Sequence, residues 1–161
     1  MRNIIILLIF VLSFISCNEK ESNSDTYSYT FVDNSKLIIS TIEETYMKYG
    51  SIDDGKNLVF EYRFDAYDEI QIADDEYAET IQFEIDSNLQ SFSYSNEELL
   101  NTNLVFTKHC FCYFPNDESK DVDPVGVITG EKLSNSEWRI SINVTFYGGQ
   151  QRSISGNFKL K

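Results

Sequence analysis

A single histidine, two prolines and seven glycines are all that the 161 residues contain of those types, and basic residues are half as common as acidic ones. Each scarcity removes a class of protein. With His109 alone, a Ser-His-Asp or Cys-His catalytic arrangement has one position to use, and nothing around it resembles a nucleophile elbow or a papain-type cysteine motif. The few glycines form no phosphate-cradling loop or dinucleotide fingerprint. Two prolines and seven glycines beside 14% aromatics argue against a disordered chain and for a folded one. Thirteen Lys+Arg against 26 Asp+Glu give a formal charge of −13, which repels nucleic acid and anionic lipid surfaces. No apolar run approaches the roughly 20 residues that span a bilayer as a helix.

The one apolar run present is short and terminal. Arg2 precedes Ile4 to Ile15, broken only by Ser13, and Phe14-Ile15-Ser16-Cys17 closes it with a small residue before a cysteine. A positive start, about a dozen apolar residues and a small-residue end are the parts of a secretory signal. These residues resemble a bacterial lipoprotein signal peptide of the type cut by signal peptidase II. Cys17 stands at the lipobox cysteine and Ser16 at the small residue before it, while Phe14 replaces the usual Leu. The resemblance implies removal of residues 1–16 and a diacylglycerol thioether with a further N-acyl chain (palmitate or similar) on Cys17. Several acyl chains at about 0.8 kcal/mol per buried methylene hold a protein to a membrane where one chain is marginal.

Loss of Arg2 with the signal leaves 12 basic against 26 acidic residues, a formal −14. Residues 17–25 contain no apolar residue after Cys17 and are predicted to be a tether. Residues 26–161 are long enough for one domain with a real core. Glu19 and Glu21 resemble the acidic residues that follow the lipidated cysteine in surface-exposed lipoproteins of Bacteroidota. Residues 125–161 are similar to small uncharacterised lipoproteins of that group. The location implied is the cell envelope, at the outer membrane, with no activity attached.

The body of the chain reads as all-β. Tyr27, Tyr29 and Phe31 alternate with Ser28 and Thr30, a turn at Asp33-Asn34 precedes a second strand at Leu37 to Ile39, and Leu58, Phe60, Tyr62 and Phe64 share one face of another. Ile81, Phe83 and Ile85 form a strand with Leu89 to Tyr94 as its hairpin partner. Trp138, Ile140, Ile142, Val144 and Phe146 alternate with polar residues, Gly148-Gly149 turns the chain, and Ile154 to Leu160 answers as a hairpin. Trp138 is expected to fill the core. Gly126 and Gly130 flank Val127 and Ile128 as marks of a bulge or a close approach. Leu104 to Phe114 is apolar on both faces and is predicted to be a central strand covered on both sides, unless one face serves a ligand. Two capping-box patterns, Thr41 to Glu44 and Ser95 to Glu98, predict short helices at 42–49 and after Ser95. About eight strands fit a two-sheet β-sandwich, with a calycin-like barrel as the alternative.

Two cysteines remain after Cys17. Cys110 and Cys112 are separated by one residue, and on a regular strand their Cα atoms would stand about 6.6 Å apart, at the edge of disulfide reach. Three readings stay open: a local disulfide that requires a bulge or turn, two packed thiols, or a metal or redox site with His109, which a regular strand would point to the opposite face. The acidic loop from Pro115 to Pro124 lacks the ligand order of an EF-hand. No cofactor is expected. The function expected is a non-catalytic, lipid-anchored domain binding a glycan, a small ligand or an envelope protein outside the cytoplasm. The alternative is an acidic immunity or inhibitor protein that neutralises a basic toxin or hydrolase.

Overall fold

The computed structural model describes residues 24–68 and 74–161. Nine strands run β1 (Thr26–Thr41), β2 (Lys48–Asp54), β3 (Asn57–Asp65), β4 (Ala78–Asp86), β5 (Ser91–Ser95), β6 (Val105–His109), β7 (Val125–Ser134), β8 (Glu137–Phe146) and β9 (Gln150–Leu160). The all-β expectation is borne out. They form one mixed sheet ordered β5-β7-β8-β9-β1-β3-β4-β6, with β2 added to β1.

The sheet folds over on itself, so that the β3-β4-β6 half faces the β5-β7-β8-β9 half. Aromatic pairs cross the interior: Phe83 meets Phe92 at 6.0 Å between ring centroids, Trp138 meets Phe60 at 5.7 Å, and Phe106 meets Phe146 at 5.2 Å. The alternation of β8 carries through, with Trp138, Ile140, Ile142, Val144 and Phe146 all buried. Where the sequence suggests two separate sheets, the halves share a seam, the parallel pairing of β1 with β9 at Thr30–Lys159 and Phe31–Leu160. The barrel alternative is corrected. β5 pairs only with β7 and β6 only with β4 among the described residues, so the sheet keeps two ends. At the β6 end the Tyr147 hydroxyl occupies the opening, accepting from the Phe106 N–H at 3.2 Å and donating to the Phe106 carbonyl.

Several local readings change for physical reasons. Residues 27–31 and 37–39 belong to one strand, because Asn34, at φ 49°, makes a bulge where a turn is predicted. Past that bulge β1 leaves β3 and pairs with β2. The predicted helix at 42–49 is absent. Thr45 Oγ1 donates to the Ile42 carbonyl at 3.0 Å and accepts from the Met47 N–H at 3.1 Å, closing a turn, and β2 follows. The β1–β2 arm lies over the outer face of β4 and β6, where Leu37, Val59 and Val105 make a second small core and Thr107 Oγ1 donates to the Lys48 carbonyl at 3.0 Å.

The segment after Ser95 is helical as predicted, a 3-10 helix at Asn96–Thr102 with the Ser95–Glu98 capping box formed. β5 is not the hairpin partner of β4; it crosses to the facing half and pairs with β7. Gly130 permits that pairing to pack, since a Cβ there would stand 2.2 Å from Phe92 Cε1. Gly148 and Gly149 turn the β8–β9 hairpin at φ 69° and 70°, a region that side chains other than glycine seldom adopt.

Candidate functional site at the aromatic end of the sheet

Thr26, Asp65, Ala78 and His109 lie on one rung across β1, β3, β4 and β6. Beyond that rung the chain enters at Asp25, links β3 to β4, and leaves β6 as Cys110. Strand β6 therefore stops at His109, and the predicted long central strand is corrected: its first residues are covered on both faces, while Cys110 to Phe114 leave the sheet at its end. The reason is position. β4 begins at Ala78, opposite His109, so among the described residues nothing continues the ladder past that rung, and the chain turns away.

In that departing loop the Cys110 and Cys112 sulfurs lie 1.93 Å apart with Cα atoms at 5.1 Å, a bonded pair across one residue. The turn that a local disulfide requires is present. Phe111 and Tyr113, expected on a covered strand face, are each 89% exposed. His109 is directed to the Thr80 hydroxyl, 3.1 Å from its Nε2. Burial, and then the nearby Arg63 charge, hold its pKa below the ordinary histidine value, so it is neutral at pH 7.

A cleft of about 480 Å³ opens beside the loop, walled by Arg63, Asp65, Glu76, Tyr77, His109 and Phe111, with Asp68 also on its lining. Arg63 is held by Asp65, Nε to both carboxylate oxygens at 2.9 Å. Asp68 has its carboxyl pKa raised, chiefly by a hydrogen bond with Asp75, then by desolvation and the Asp75 charge. The lining thus combines one paired guanidinium, carboxylates and two aromatic rings.

Behind the cleft lies a partly buried ion pair that spacing in the sequence does not reveal. Glu79 on β4 receives Arg152 of β9 through Nε at 2.7 Å and through Nη2, together with the Tyr77 hydroxyl. Arg152 also stacks over the Phe106 ring, 4.9 Å from its centroid. Burial raises the Glu79 carboxyl pKa, but the Arg152 and Tyr77 hydrogen bonds outweigh it and hold the group below the usual range. Burial is the main cause that pushes the Tyr77 phenol up to about 12, with the Glu79 hydrogen bond second. A period-two reading finds Glu79 on the same face as Ile81 and Phe83, and that inward placement is the one signal in the sequence that could have found it.

Among the described residues no group of three or more His, Cys, Asp and Glu side chains is placed to hold a metal ion. In the acidic loop Asp117 accepts from Ser119 and Asp121 pairs with Lys48 at 2.7 Å. The predicted signal 1–16 and the lipid-anchor residue Cys17 lie outside the described residues; of the tether at 17–25 only Ser24 and Asp25 are described. Among the described residues no helix is long and apolar enough to cross a membrane. No protein-family pattern, no curated protein and no solved structure matches the chain.

Proposed function

We propose that this chain is a non-catalytic, lipid-anchored envelope protein whose β domain binds an extracytoplasmic ligand or protein partner at the aromatic end of its sheet. The observation that carries the binding half is the cleft beside Phe111, where paired charge and exposed aromatic surface meet on one edge. The anchored half rests on Ser16-Cys17 after a short apolar run. An intact-mass spectrum of the protein from membranes tests it: a chain starting at Cys17 with added acyl mass is expected, and a start elsewhere without lipid overturns it. For the binding half, a photo-crosslinking residue at position 68 should give a discrete adduct in intact cells, and one at position 36, toward the opposite end of the sheet, should not. No adduct at position 68 overturns the assignment to this cleft.

A second reading, the acidic immunity or inhibitor protein, is favoured by the carboxylates of Asp65, Asp68 and Glu76 on the same lining. It predicts an association with a basic partner that slows steeply with salt, whereas contact through aromatic rings changes little.

A further inference from the structure

The chain enters β1 and leaves β6 at the same end of the sheet, three strand spacings or about 14 Å apart. Asp25 accepts from the Tyr67 N–H at 3.0 Å, which fixes the entry to β1 beside the β3–β4 link. Cys110 follows His109, on the same rung as Thr26. Phe111 and Tyr113 project there at 89% exposure, with Tyr27 and Tyr67 also exposed nearby. Large rings gathered at one end of a domain mark a surface that something covers.

The length of chain before β1 says what. Eight residues lie between Cys17 and Thr26, so nine Cα–Cα steps join them. Fully extended at about 3.3–3.6 Å each they reach roughly 30 Å, and as a flexible coil about 17 Å. At the coil length a lipid on Cys17 holds this end of the sheet nearer the bilayer surface than the Asp54–Asn57 end, which lies about 30 Å farther along β1. Resting on the anchored half of the function proposed above, we propose that the Cys110–Tyr113 loop sits in the headgroup region of the bilayer that holds Cys17, with Phe111 and Tyr113 as interfacial anchors that orient the domain. A phenol with an apolar body and a polar tip suits that layer, and an exposed phenylalanine beside it supplies apolar area. Charge selects the lipid. Asp65, Asp68 and Glu76 on the adjoining cleft disfavour anionic headgroups, so the occupant is a zwitterionic bilayer. The cleft then opens at the membrane surface.

The test places a reporter in the loop. The acylated protein carrying Phe111→Trp is reconstituted in phosphatidylcholine vesicles with brominated acyl chains, beside the wild type, whose only tryptophan, Trp138, is fully buried. The added emission should be blue-shifted and quenched at least twofold more strongly than that of Trp138. Replacing half the lipid with phosphatidylglycerol at low salt should reduce the quenching, and 0.5 M salt, an amount on the order of full screening, should restore it. If the protein floats with the vesicles and the added tryptophan stays unquenched, the loop proposal is overturned, whether or not self-association or an envelope protein then proves to cover the loop. If no acyl mass is found on Cys17, the anchored reading has failed separately. The same variant, beginning at Cys17 and coupled through that thiol to a maleimide lipid, then decides whether the loop meets the bilayer when tethered there: quenching supports it and its absence overturns it.

Discussion

Removing Arg152 should cost this protein more than removing the carboxylate it pairs with. The Glu79 side chain is 9% exposed and that of Arg152 24%, so the two charges are unequally able to regain water when left alone. Arg152→Met takes the guanidinium off the Phe106 ring and strands a buried carboxylate with the Tyr77 hydroxyl as its remaining hydrogen-bond donor. Breaking a buried pair in this way costs about 3–5 kcal/mol, and the exposure on the arginine side lowers the expectation to about 2–4 kcal/mol. Glu79→Gln leaves the better-hydrated guanidinium and should cost about 1–2 kcal/mol. The double variant should lose less than the two single costs combined, with a coupling of about 1–3 kcal/mol.

The pH dependence carries a sign. In the wild type the Glu79 pKa is depressed, so its contribution is present above the unfolded carboxylate value and is lost as the pH falls through the folded value. In Arg152→Met burial acts without the arginine's opposition and the folded pKa rises. That penalty is greatest above the raised value and shrinks as acid protonates Glu79, so the gap between wild type and variant should narrow from pH 7 toward pH 4. Urea unfolding followed by Trp138 emission at several pH values measures all four proteins. Equal costs for the two single variants, strict additivity, or a gap that widens in acid would refute the reasoning.

Two further outcomes concern the core. Trp138→Phe removes a buried indole whose Nε1 has no hydrogen-bond partner, so it should cost only about 1–2 kcal/mol, while Trp138→Ala should cost about 3–5; equal losses by calorimetry would mean the indole packs for a reason other than volume. Gly130→Ala drives a methyl into the Phe92 ring and should destabilise by about 1–3 kcal/mol, with faster amide exchange in β5 before the rest of the sheet; uniform exchange would show that β5 does not yield first.

Much of the sheet was legible where one face of a strand is wet, which holds for β8 and β9 and not for β4 or the start of β6. β8 and the later part of β9 alternate in sequence as they do in space, while β3 does so only past Val59, which the second small core buries from the other face. Pairing was less legible. Leu89 to Tyr94 follows β4 closely and so looks like its hairpin partner, yet Phe92 is buried against Trp138 and Phe83 only if β5 crosses to the facing half. β2 showed no alternation because most of it is exposed, and the β-branched and aromatic residues before it mimicked a helix face. At the candidate site the cysteine spacing was informative, since a bond across one residue demands a turn. The exposure of Phe111 was not, because an apolar run carries the same letters whether it is covered or left in water. Glu79 and Arg152 stand 73 residues apart and meet only through the folding over of the sheet.

The seam between the two halves also sets an order of events. Only two residue pairs join β1 to β9, and the Lys161 N–H adds one bond to the Phe31 carbonyl at 3.0 Å. The partners in that seam are separated by most of the chain, so it is the contact with the largest loop to close and the slowest to reward its ordering. Until it forms, the β1-β3-β4 meander and the β7-β8-β9 meander are two half-sheets of exposed aromatic rings waiting for each other. A chaperone would meet that state, and a shortened β9 would lengthen its lifetime even where every other strand could still pair.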